Sequence, residues 1–166
     1  MIKKTNHIVI RREMARRLAK CLHAKGQKII FTNGCFDILH IGHVKYLEEA
    51  KSLGDILVVG INSDRSTKIL KGPGRPLINE DERAKIISSL YCVDYAIIFD
   101  EETSIQLIAE LKPDIHVKGG DYEIQNLPEY DVVNSYGGKI QILSYSSEKS
   151  TTNIVKQIIN NFGERS

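Results

Sequence analysis

The sequence predicts an α/β fold in which five parallel strands form one sheet with helices on both faces. Two observations predict it. From Lys28 onward, apolar runs alternate with amphipathic stretches of helical length, as in parallel strands joined by crossover helices. The runs are short and rich in Ile, Val and Phe, as buried strands are. The predicted strands are Lys28–Thr32, Ile56–Ile61, Tyr95–Phe99, Ile115–Val117 and Ile140–Leu143.

The helices predicted between these strands have recognisable starts. Asn79 and Glu82 have the spacing of a capping box, in which each side chain binds a free backbone N–H at the helix start. Thr103 and Gln106 repeat that spacing before the fourth helix. The predicted helices are Val44–Leu53, Arg65–Leu70, Glu80–Leu90, Ser104–Leu111 and Asn153–Phe162, preceded by an amphipathic stretch over Arg12–Ala24.

Length and composition favour one compact domain. A chain of 166 residues, 42% of them hydrophobic, can close one sizeable core. We therefore expect a single domain over residues 1–166, with residues 1–27 forming a helical extension packed on it. The 23 basic and 21 acidic residues of the chain are spread along its length. They indicate no basic face of the kind that binds nucleic acid.

Cysteine usage and hydropathy indicate the compartment. The three cysteines are far apart and form no Cys-x-x-Cys pair, which argues against a disulfide framework and a zinc clip. The first 17 residues lack the apolar core of a signal peptide, and no apolar run has the length of a membrane span. We expect a cytoplasmic protein that binds neither membrane nor nucleic acid.

A glycine-bearing loop, Asn33–His43, follows the first predicted strand and leads into a helix. A helix start presents free backbone N–H groups and the positive end of the helix dipole. Gly34 and Gly42 let a ligand approach the backbone without meeting a Cβ. The loop therefore predicts an anion site that suits a phosphate chain.

His40 and His43 lie in this loop, separated by Ile41 and Gly42. Both imidazoles can donate N–H bonds to phosphoryl oxygens that gain charge in a transition state. A substrate phosphate is already anionic, so its transfer chemistry needs in-line positioning and charge neutralisation rather than a base. Zinc binding by the pair with Cys35 is an alternative, but the spacing of a zincin helix is missing, and we expect no protein-held metal.

The remaining histidines are not candidate site residues, and two missing motifs argue against two classes of enzyme. We expect His7, His23 and His116 to be helix caps or solvated side chains. No Gly-x-x-x-x-Gly-Lys-Ser/Thr loop is present, and no Gly-x-Gly-x-x-Gly follows a strand. Their absence argues against a P-loop kinase and a nicotinamide enzyme.

Further candidates lie in loops after predicted strands, where open α/β sheets bind ligands. Lys118, Gly119 and Asp121 supply a cation, flexible backbone and a carboxylate for a ribose hydroxyl or a magnesium-bound water. Ser150, Thr151 and Thr152 open the last helix, either as a second anion site or as ordinary N-caps. Four more cations suit a triphosphate, or are simply solvated: Lys45, Lys71, Arg75 and Arg83.

These residues resemble the cytidylyltransferase-like nucleotidyltransferases over nearly the whole chain after Lys28. Residues 31–37, together with His40-Ile41-Gly42-His43, are similar to the first motif of that family. The resemblance implies a Rossmann-like fold of the HIGH type. Further matches follow in the family's order at Asn62-Ser63-Asp64, Lys71-Gly72, Arg75-Pro76, residues 117–122 and residues 150–154.

Within the family, the motifs are most similar to those of heptose-1-phosphate adenylyltransferases. The resemblance implies that ATP, with Mg²⁺, and heptose 1-phosphate give ADP-heptose and pyrophosphate for lipopolysaccharide or another surface glycan, and that the protein is a homodimer. The expected catalytic residues are His40, His43, Lys71 and Lys118. The expected nucleotide-binding residues are Asn33, Gly34, Cys35, Phe36, Asp37, Gly42, Asn62, Asp64, Gly119, Asp121, Ser150, Thr151 and Thr152, and those expected to bind the acceptor are Asp37, Lys71, Arg75 and Arg83.

Two alternative functions stay open. Glycerol-3-phosphate cytidylyltransferases share the His-x-Gly-His motif, but their Arg-Tyr-Val-Asp is Tyr91-Cys92-Val93-Asp94 here. A nucleotide-binding module without turnover is the other, and the intact histidines and lysines argue against it. Some family members are fused to a sugar kinase, and we expect this chain to be the stand-alone form.

Overall fold

The structure is a computed structural model that describes residues 8–143 and 151–163. Its strands form one sheet in the order β1-β4-β3-β2-β5-β6, and every neighbouring pair is parallel. The predicted fold class is confirmed, with six strands in place of five. The strands are β1 Ile8–Ile10, β2 Ile29–Gly34, β3 Ile56–Asn62, β4 Tyr95–Phe99, β5 Ile115–Gly119 and β6 Lys139–Leu143.

The additional strand is β1, within the segment that was predicted to be a helical extension. It pairs with Tyr95–Ile97 at the edge of the sheet. Ile8 and Val9 are both exposed, so the strand lacks the buried apolar pattern that identifies the others. Three residues are too few to show a period, and pairing with β4 decides their conformation.

The helices agree with the predicted ones to within a few residues at each end. Helix α2 begins at Ile41 rather than Val44 because His40 caps it. Helix α6 was not predicted, since five residues show no helical period. The helices are α1 Ala15–Ala24, α2 Ile41–Lys51, α3 Asp64–Lys71, α4 Glu80–Ser88, α5 Ile105–Leu111, α6 Tyr130–Asn134 and α7 Thr151–Phe162, with 3₁₀ turns at Arg12–Met14 and Ile124–Asn126.

The predicted cap by Asn79 is confirmed, and the predicted cap by Thr103 is wrong. Asn79 accepts a hydrogen bond from the Glu82 N–H at 3.0 Å at the start of α4. The N-cap of α5 is Ser104, not Thr103, and it makes no side-chain cap bond. Its hydroxyl instead contacts Asn33 and Glu129, so a tertiary contact overrides the local capping pattern.

Two apolar clusters cover the two faces of the sheet. On one face, α2 and α4 pack their Leu47, Ala50, Ala84 and Ile87 against strand residues that include Ile30. On the other face, α1, α5 and α6 pack against strand residues that include Phe31. Because neighbouring strand residues point to opposite faces and both faces are covered, the central strands are buried along their length.

The strand order fixes where a ligand can bind. From β2 the chain continues to β3 and β4 on one side, then returns to β5 and β6 on the other. The order therefore reverses between β2 and β5, and open α/β sheets bind ligands beyond the carboxyl ends of the strands at such a point. The loops after β2 and β5 meet there. None of the described helices is both long and apolar enough to cross a membrane.

Candidate active site

The turn after β2 has a backbone conformation that residues other than glycine rarely adopt. Phe36 has a φ of 48°, in the left-handed region that disfavours residues with a Cβ. Its ring lies against Gly34, where an added Cβ would come 3.0 Å from a ring carbon. The same ring meets His43 edge to face, with centroids 5.3 Å apart. Gly34 thus leaves room for an aromatic wall beside His43.

The two histidines fix each other's orientation at the start of α2. The Gly42 N–H donates to His40 Nδ1 at 3.1 Å, and the His40 N–H approaches His43 Nδ1 at 3.4 Å. The rings stack with centroids 3.9 Å apart. A neutral imidazole has one donor and one acceptor nitrogen. Because both Nδ1 atoms accept, both protons lie on Nε2, and the pair offers two neighbouring N–H donors.

The loop pattern predicted free backbone N–H groups at the start of α2, but two of these groups are bonded within the protein. The Gly42 N–H is bonded to the His40 ring, and the His43 N–H donates to the His40 carbonyl at 2.9 Å. These amides are therefore not free for a phosphate. The imidazoles take their place as outward donors, with the positive end of the α2 dipole behind them.

The electrostatics of the pair favour donation over proton abstraction. Burial lowers the pKa of His40. Burial, and then the neighbouring His40, lower the pKa of His43 to about 4. Both rings are therefore neutral at pH 7, and a ring with such a low pKa is a poor base at that pH.

The pair borders an open pocket of about 350 Å³ beyond the carboxyl ends of β2 and β5. This cleft, called here the nucleoside pocket after the ligand that the sequence leads us to expect, has no ionised side chain in its lining. It brings together six of the residues expected to bind the nucleotide with both histidines. The lining is Asn33, Gly34, Cys35, Phe36, His40, Gly42, His43, Tyr46, Gly119 and Gly120.

A second pocket of about 310 Å³, called here the cationic pocket, adjoins the first. It shares Cys35, Phe36 and His43 with the nucleoside pocket, and it adds Lys71 and Arg75. Two cations expected to bind the acceptor therefore lie next to the histidine pair. The rest of its lining is Asp37 and Thr151.

The Ser-Thr-Thr segment is described only in part. Thr151 begins α7, and its hydroxyl donates to the Ile38 carbonyl at 3.3 Å. This bond ties α7 to the loop that carries the histidines. Ser150 and the side chain of Thr152 lie outside the described part of the chain.

Asp37 connects the histidine loop to the segment that precedes α4. Its carboxylate accepts from Arg75 at 2.6 Å and from the Leu77 and Ile78 N–H groups at 2.7 and 3.1 Å. Although burial acts to raise the pKa of Asp37, these hydrogen bonds and the Arg75 charge hold it below the usual value. The Asp37 carboxylate, expected to bind ligand, thus already has three internal donors.

Arg83 and Asn62 are buried in the fold, whereas the side chain of Asp64 is 43% exposed. Arg83 is fully buried, and it donates to the Cys35 carbonyl, the Ile78 carbonyl and Asp64 Oδ1. Asn62 is buried and donates to Ser66 Oγ at 3.2 Å. These expected ligand-binding residues hold the βα turns that border the pockets, and neither pocket includes them in its lining.

Lys118 lies near the carboxyl end of β5, and Asp121 lies in the loop that follows this strand. Lys118 Nζ lies 3.4 Å from Asn33 Oδ1 and 2.9 Å from Glu129 Oε1. It is therefore behind the pocket floor rather than in the open cleft. Asp121 is exposed beside Gly120.

Tyr46 is a pocket residue that the sequence patterns did not indicate. Its hydroxyl contacts Thr32 Oγ1 at 2.6 Å and donates to the Val117 carbonyl at 3.1 Å, so α2 is joined to β2 and β5. An added Cβ at Gly119 would come 3.1 Å from the Tyr46 ring. Burial raises the pKa of Tyr46 to about 12, and the hydroxyl remains protonated as a donor.

The expectation for His116 is wrong. This residue is neither a cap nor solvated: it lies on β5, is fully buried, and stacks on Phe31 with ring centroids 5.5 Å apart. Burial, and then the nearby Lys118 charge, lower its pKa. His23 is partly exposed and lies 3.5 Å from Asp114 Oδ2, and His7 lies outside the described residues.

A wider cleft of about 790 Å³ lies at the end of β4, and most of its charged side chains are paired within the protein. Arg12 pairs with Glu101 and Glu110, and Arg65 with Asp100. Across residues 8–143 and 151–163, no three His, Cys, Asp or Glu side chains come together as a metal site would require.

Comparison with known proteins shows the family to which the chain belongs. The model of a family described as cytidylyltransferase-like matches residues 31–157. The match runs from β2 into α7 and includes both histidines. The chain belongs to the cytidylyltransferase-like family. Membership confirms the predicted resemblance and the predicted class of enzyme, a nucleotidyltransferase.

Curated relatives cover most of this chain. The bifunctional protein HldE of Geobacter metallireducens is 55% identical over 141 residues, which are 85% of this chain and 29% of that protein. HldE of Aliarcobacter butzleri is 51% identical over 149 residues, or 90% of this chain and 30% of that protein. The chain thus spans less than a third of the length of these relatives.

Two solved structures have the same fold. A lipopolysaccharide core biosynthesis protein from Thermoplasma volcanium matches with a TM-score of 0.61 and 34% identity, covering 75% of this chain and all of that one. A pantoate-beta-alanine ligase from Francisella tularensis matches with a TM-score of 0.58 over 96% of this chain and 80% of that one. At 15% identity, the second match shows the fold alone.

Proposed function

We propose that this chain transfers the adenylyl group of ATP to a heptose 1-phosphate and releases pyrophosphate. The single observation that carries the proposal is the pair of Nε2–H donors on His40 and His43, which line an uncharged pocket, with His43 also lining the adjoining cationic one. Identity of 55% with an HldE protein supports the sugar phosphate as acceptor. The lipopolysaccharide relative supports a product destined for a surface glycan.

The two pockets suit the two substrates. The nucleoside of ATP occupies the nucleoside pocket, whose lining includes Tyr46 and Gly119. The acceptor phosphate occupies the cationic pocket, where Lys71 and Arg75 supply positive charge. The α-phosphorus then lies beside Phe36 and His43, which border both pockets.

The reaction is an in-line displacement. A phosphate oxygen of the sugar attacks the α-phosphorus, a new P–O bond forms, and the bond to the oxygen that bridges toward the β-phosphorus breaks. The nucleophile is already an anion, so no base has to remove a proton. His40 and His43 donate to oxygens that gain negative charge at the α-phosphorus, and donors fixed in advance stabilise such a transition state most.

ATP enters this scheme as its magnesium complex. Mg²⁺ is commonly held by substrate phosphates, water and one or two carboxylates. The described residues fit that mode, because they form no cluster of three acidic or imidazole ligands and Asp37 is bonded to Arg75. We assign Asp121 to a metal-bound water. The ion neutralises the leaving pyrophosphate, and excess chelator should stop turnover.

We further propose a homodimer in the cytoplasm. The cysteines Cys21, Cys35 and Cys92 are free thiols, which suits a reducing compartment. Helix α7 exposes Ile158, Ile159 and Phe162, and exposed apolar side chains on one helix favour an interface. Sedimentation velocity at several concentrations tests the dimer.

A substrate matrix tests the proposed function. Each of ATP, CTP, GTP and UTP is incubated with heptose 1-phosphate, glycerol 3-phosphate or another phosphorylated acceptor, and pyrophosphate release is measured. We expect ATP with heptose 1-phosphate to be the preferred pair. A preference for CTP with glycerol 3-phosphate overturns it. ATP binding without pyrophosphate release from any pair indicates a module without turnover. The double variant His40→Ala/His43→Ala controls for contaminating enzymes.

A further inference from the structure

A buried polar cluster lies directly behind the nucleoside pocket. Its four members, called here the Glu129 cluster, come from separate parts of the chain: Asn33 lies near the end of β2, Ser104 caps α5, Lys118 lies on β5, and Glu129 precedes α6. Glu129 and Ser104 are buried. Asn33 alone also lines the pocket, so it is the member through which the cluster reaches a ligand.

Glu129 holds the Lys118 ammonium in place. Lys118 Nζ lies 2.9 Å from Glu129 Oε1, and the Glu129 side chain is only 3% exposed. Burial acts to raise the pKa of Glu129, but the Lys118 charge and its hydrogen bond lower it below the usual value. The carboxylate is therefore ionised, and the pair is a charge-assisted hydrogen bond between two constrained groups.

The ammonium in turn decides how the Asn33 carboxamide is oriented. Asn33 Oδ1 lies 3.4 Å from Lys118 Nζ and 3.2 Å from Ser104 Oγ. A flipped amide would present its NH₂ group to the ammonium, which is unfavourable. Oδ1 therefore faces the cluster, and the Asn33 NH₂ points away from it, toward the pocket that Asn33 lines.

The features of the cluster indicate that it positions a side chain of the pocket rather than stabilises the fold. A buried ion pair contributes little net stability compared with apolar packing. Here the pair lies beneath a pocket wall, next to the buried His116, and one carboxylate oxygen, Glu129 Oε2, has no hydrogen-bond partner among the described residues. Burying these polar groups costs folding free energy. Such a cost is expected where a polar group in the wall of a binding pocket must keep one orientation.

We propose that Glu129 is a positioning residue for the nucleotide: it holds Lys118 against Asn33 so that the Asn33 NH₂ group faces the pocket as a hydrogen-bond donor. The inference deepens the proposed function, on which it rests, by adding a residue that acts on ATP binding without touching ATP. Neither Glu129 nor Ser104 was indicated by the sequence motifs.

The test compares Glu129→Gln with the wild-type protein. The amide keeps the size of the side chain and an acceptor oxygen but removes the charge that holds Lys118. We expect the KM and the Kd for ATP to rise about tenfold, as for the loss of one hydrogen bond to a ligand, while kcat changes by less than about threefold. Unchanged KM and Kd overturn the proposal.

A double-mutant cycle shows whether Glu129 acts through Lys118. Lys118→Met alone should raise the KM for ATP about as much as Glu129→Gln does. In the Lys118→Met background, Glu129→Gln should add nothing further to KM. Effects that simply multiply contradict the proposed order of action. Glu129→Asp keeps the charge, and we expect it to restore most of the ATP affinity.

A second lysine–carboxylate pair, far from the pocket, serves as a control that distinguishes a loss of positioning from a loss of stability. Lys51 Nζ lies 2.6 Å from Asp94 Oδ2 at the opposite end of the sheet, so Asp94→Asn also removes a carboxylate from a lysine pair. We expect Asp94→Asn to lower the melting temperature and leave the KM for ATP unchanged. If Glu129→Gln does not fold by circular dichroism, Lys118→Met and Ser104→Ala decide the question, and wild-type KM in both overturns the proposal.

Failure of the proposed function gives a different result. If the wild-type protein releases no pyrophosphate from any substrate pair, the proposed reaction is wrong. Calorimetric titration with ATP still compares Glu129→Gln with the wild-type protein in that case. A higher Kd for Glu129→Gln then supports the positioning role, and an unchanged Kd refutes it.

Discussion

The rings of His40 and His43 stack 3.9 Å apart at an angle of 28°, and each Nδ1 atom faces a backbone N–H of the same turn. The helix start therefore exposes imidazole Nε2–H groups where other anion sites expose backbone amides. Two neutral donors fixed by one turn need no rearrangement when charge develops on a phosphoryl group. The arrangement gives each of the two histidines of the motif a role as a donor.

Loss of either ring should slow turnover. We expect His40→Ala and His43→Ala each to lower kcat by about two to three orders of magnitude, the loss typical of removing one fixed donor to developing charge. Steady-state pyrophosphate release measures it.

The matched control for these substitutions is His23→Ala. His23 lies on α1 and contacts Asp114, outside both pockets, and the substitution should leave kcat unchanged. Near-normal turnover in either His40→Ala or His43→Ala would remove the proposed mechanism.

Stability should fall in mild acid because of His43. Its pKa is lowered from 6.5 to about 4 in the folded protein. Below pH 6.5 the unfolded chain takes up a proton that the folded ring refuses, so the free energy of unfolding declines as pH falls from 6.5 toward 4. The contribution of this ring is at most about 3 kcal/mol.

Urea unfolding between pH 4 and 7 measures this decline. Carboxylates also titrate in that range, so the informative quantity is the difference between the wild-type protein and His43→Asn, which carries no titratable ring. The variant should show the shallower slope. Equal slopes in the two proteins would show that the folded state does not keep His43 neutral.

The sequence predicts best what is encoded locally. The βα turn with its histidines was predictable because strand, glycines and helix start are contiguous. Tyr46 was not, since its hydroxyl binds the Val117 carbonyl 71 positions away. The same separation joins Ser104 to Asn33. Motif patterns also do not distinguish a charge that faces a ligand from one bonded inside the fold, as for Arg83.

The ion pair between Asp37 and Arg75 should contribute to stability. Asp37 is 7% exposed and binds two backbone N–H groups besides Arg75. Asp37→Ala leaves these donors without their acceptor, and we expect the free energy of unfolding to drop by about 3 kcal/mol. Urea denaturation measures the change.

The control for Asp37→Ala is Arg65→Ala. Arg65 and Asp100 also form an ion pair, but their side chains are 64% and 60% exposed, and exposed pairs contribute little. Arg65→Ala should therefore change the free energy of unfolding far less. Equal effects of the two substitutions would mean that Asp37 is no more than a surface charge.

A side chain at Gly34 should slow turnover because of the ring that lies next to this residue. An added Cβ would meet the Phe36 ring at 3.0 Å, and that ring lies against His43. Gly34→Ala should push the ring toward His43 and lower kcat by about ten- to a hundredfold, since a small misplacement of a catalytic group is enough. In the double variant Gly34→Ala/Phe36→Leu, the smaller side chain makes room, and part of the activity should return. If Gly34→Ala is slow and the second substitution restores nothing, the added methyl acts by blocking the nucleotide directly, and the aromatic wall has no role in placing His43.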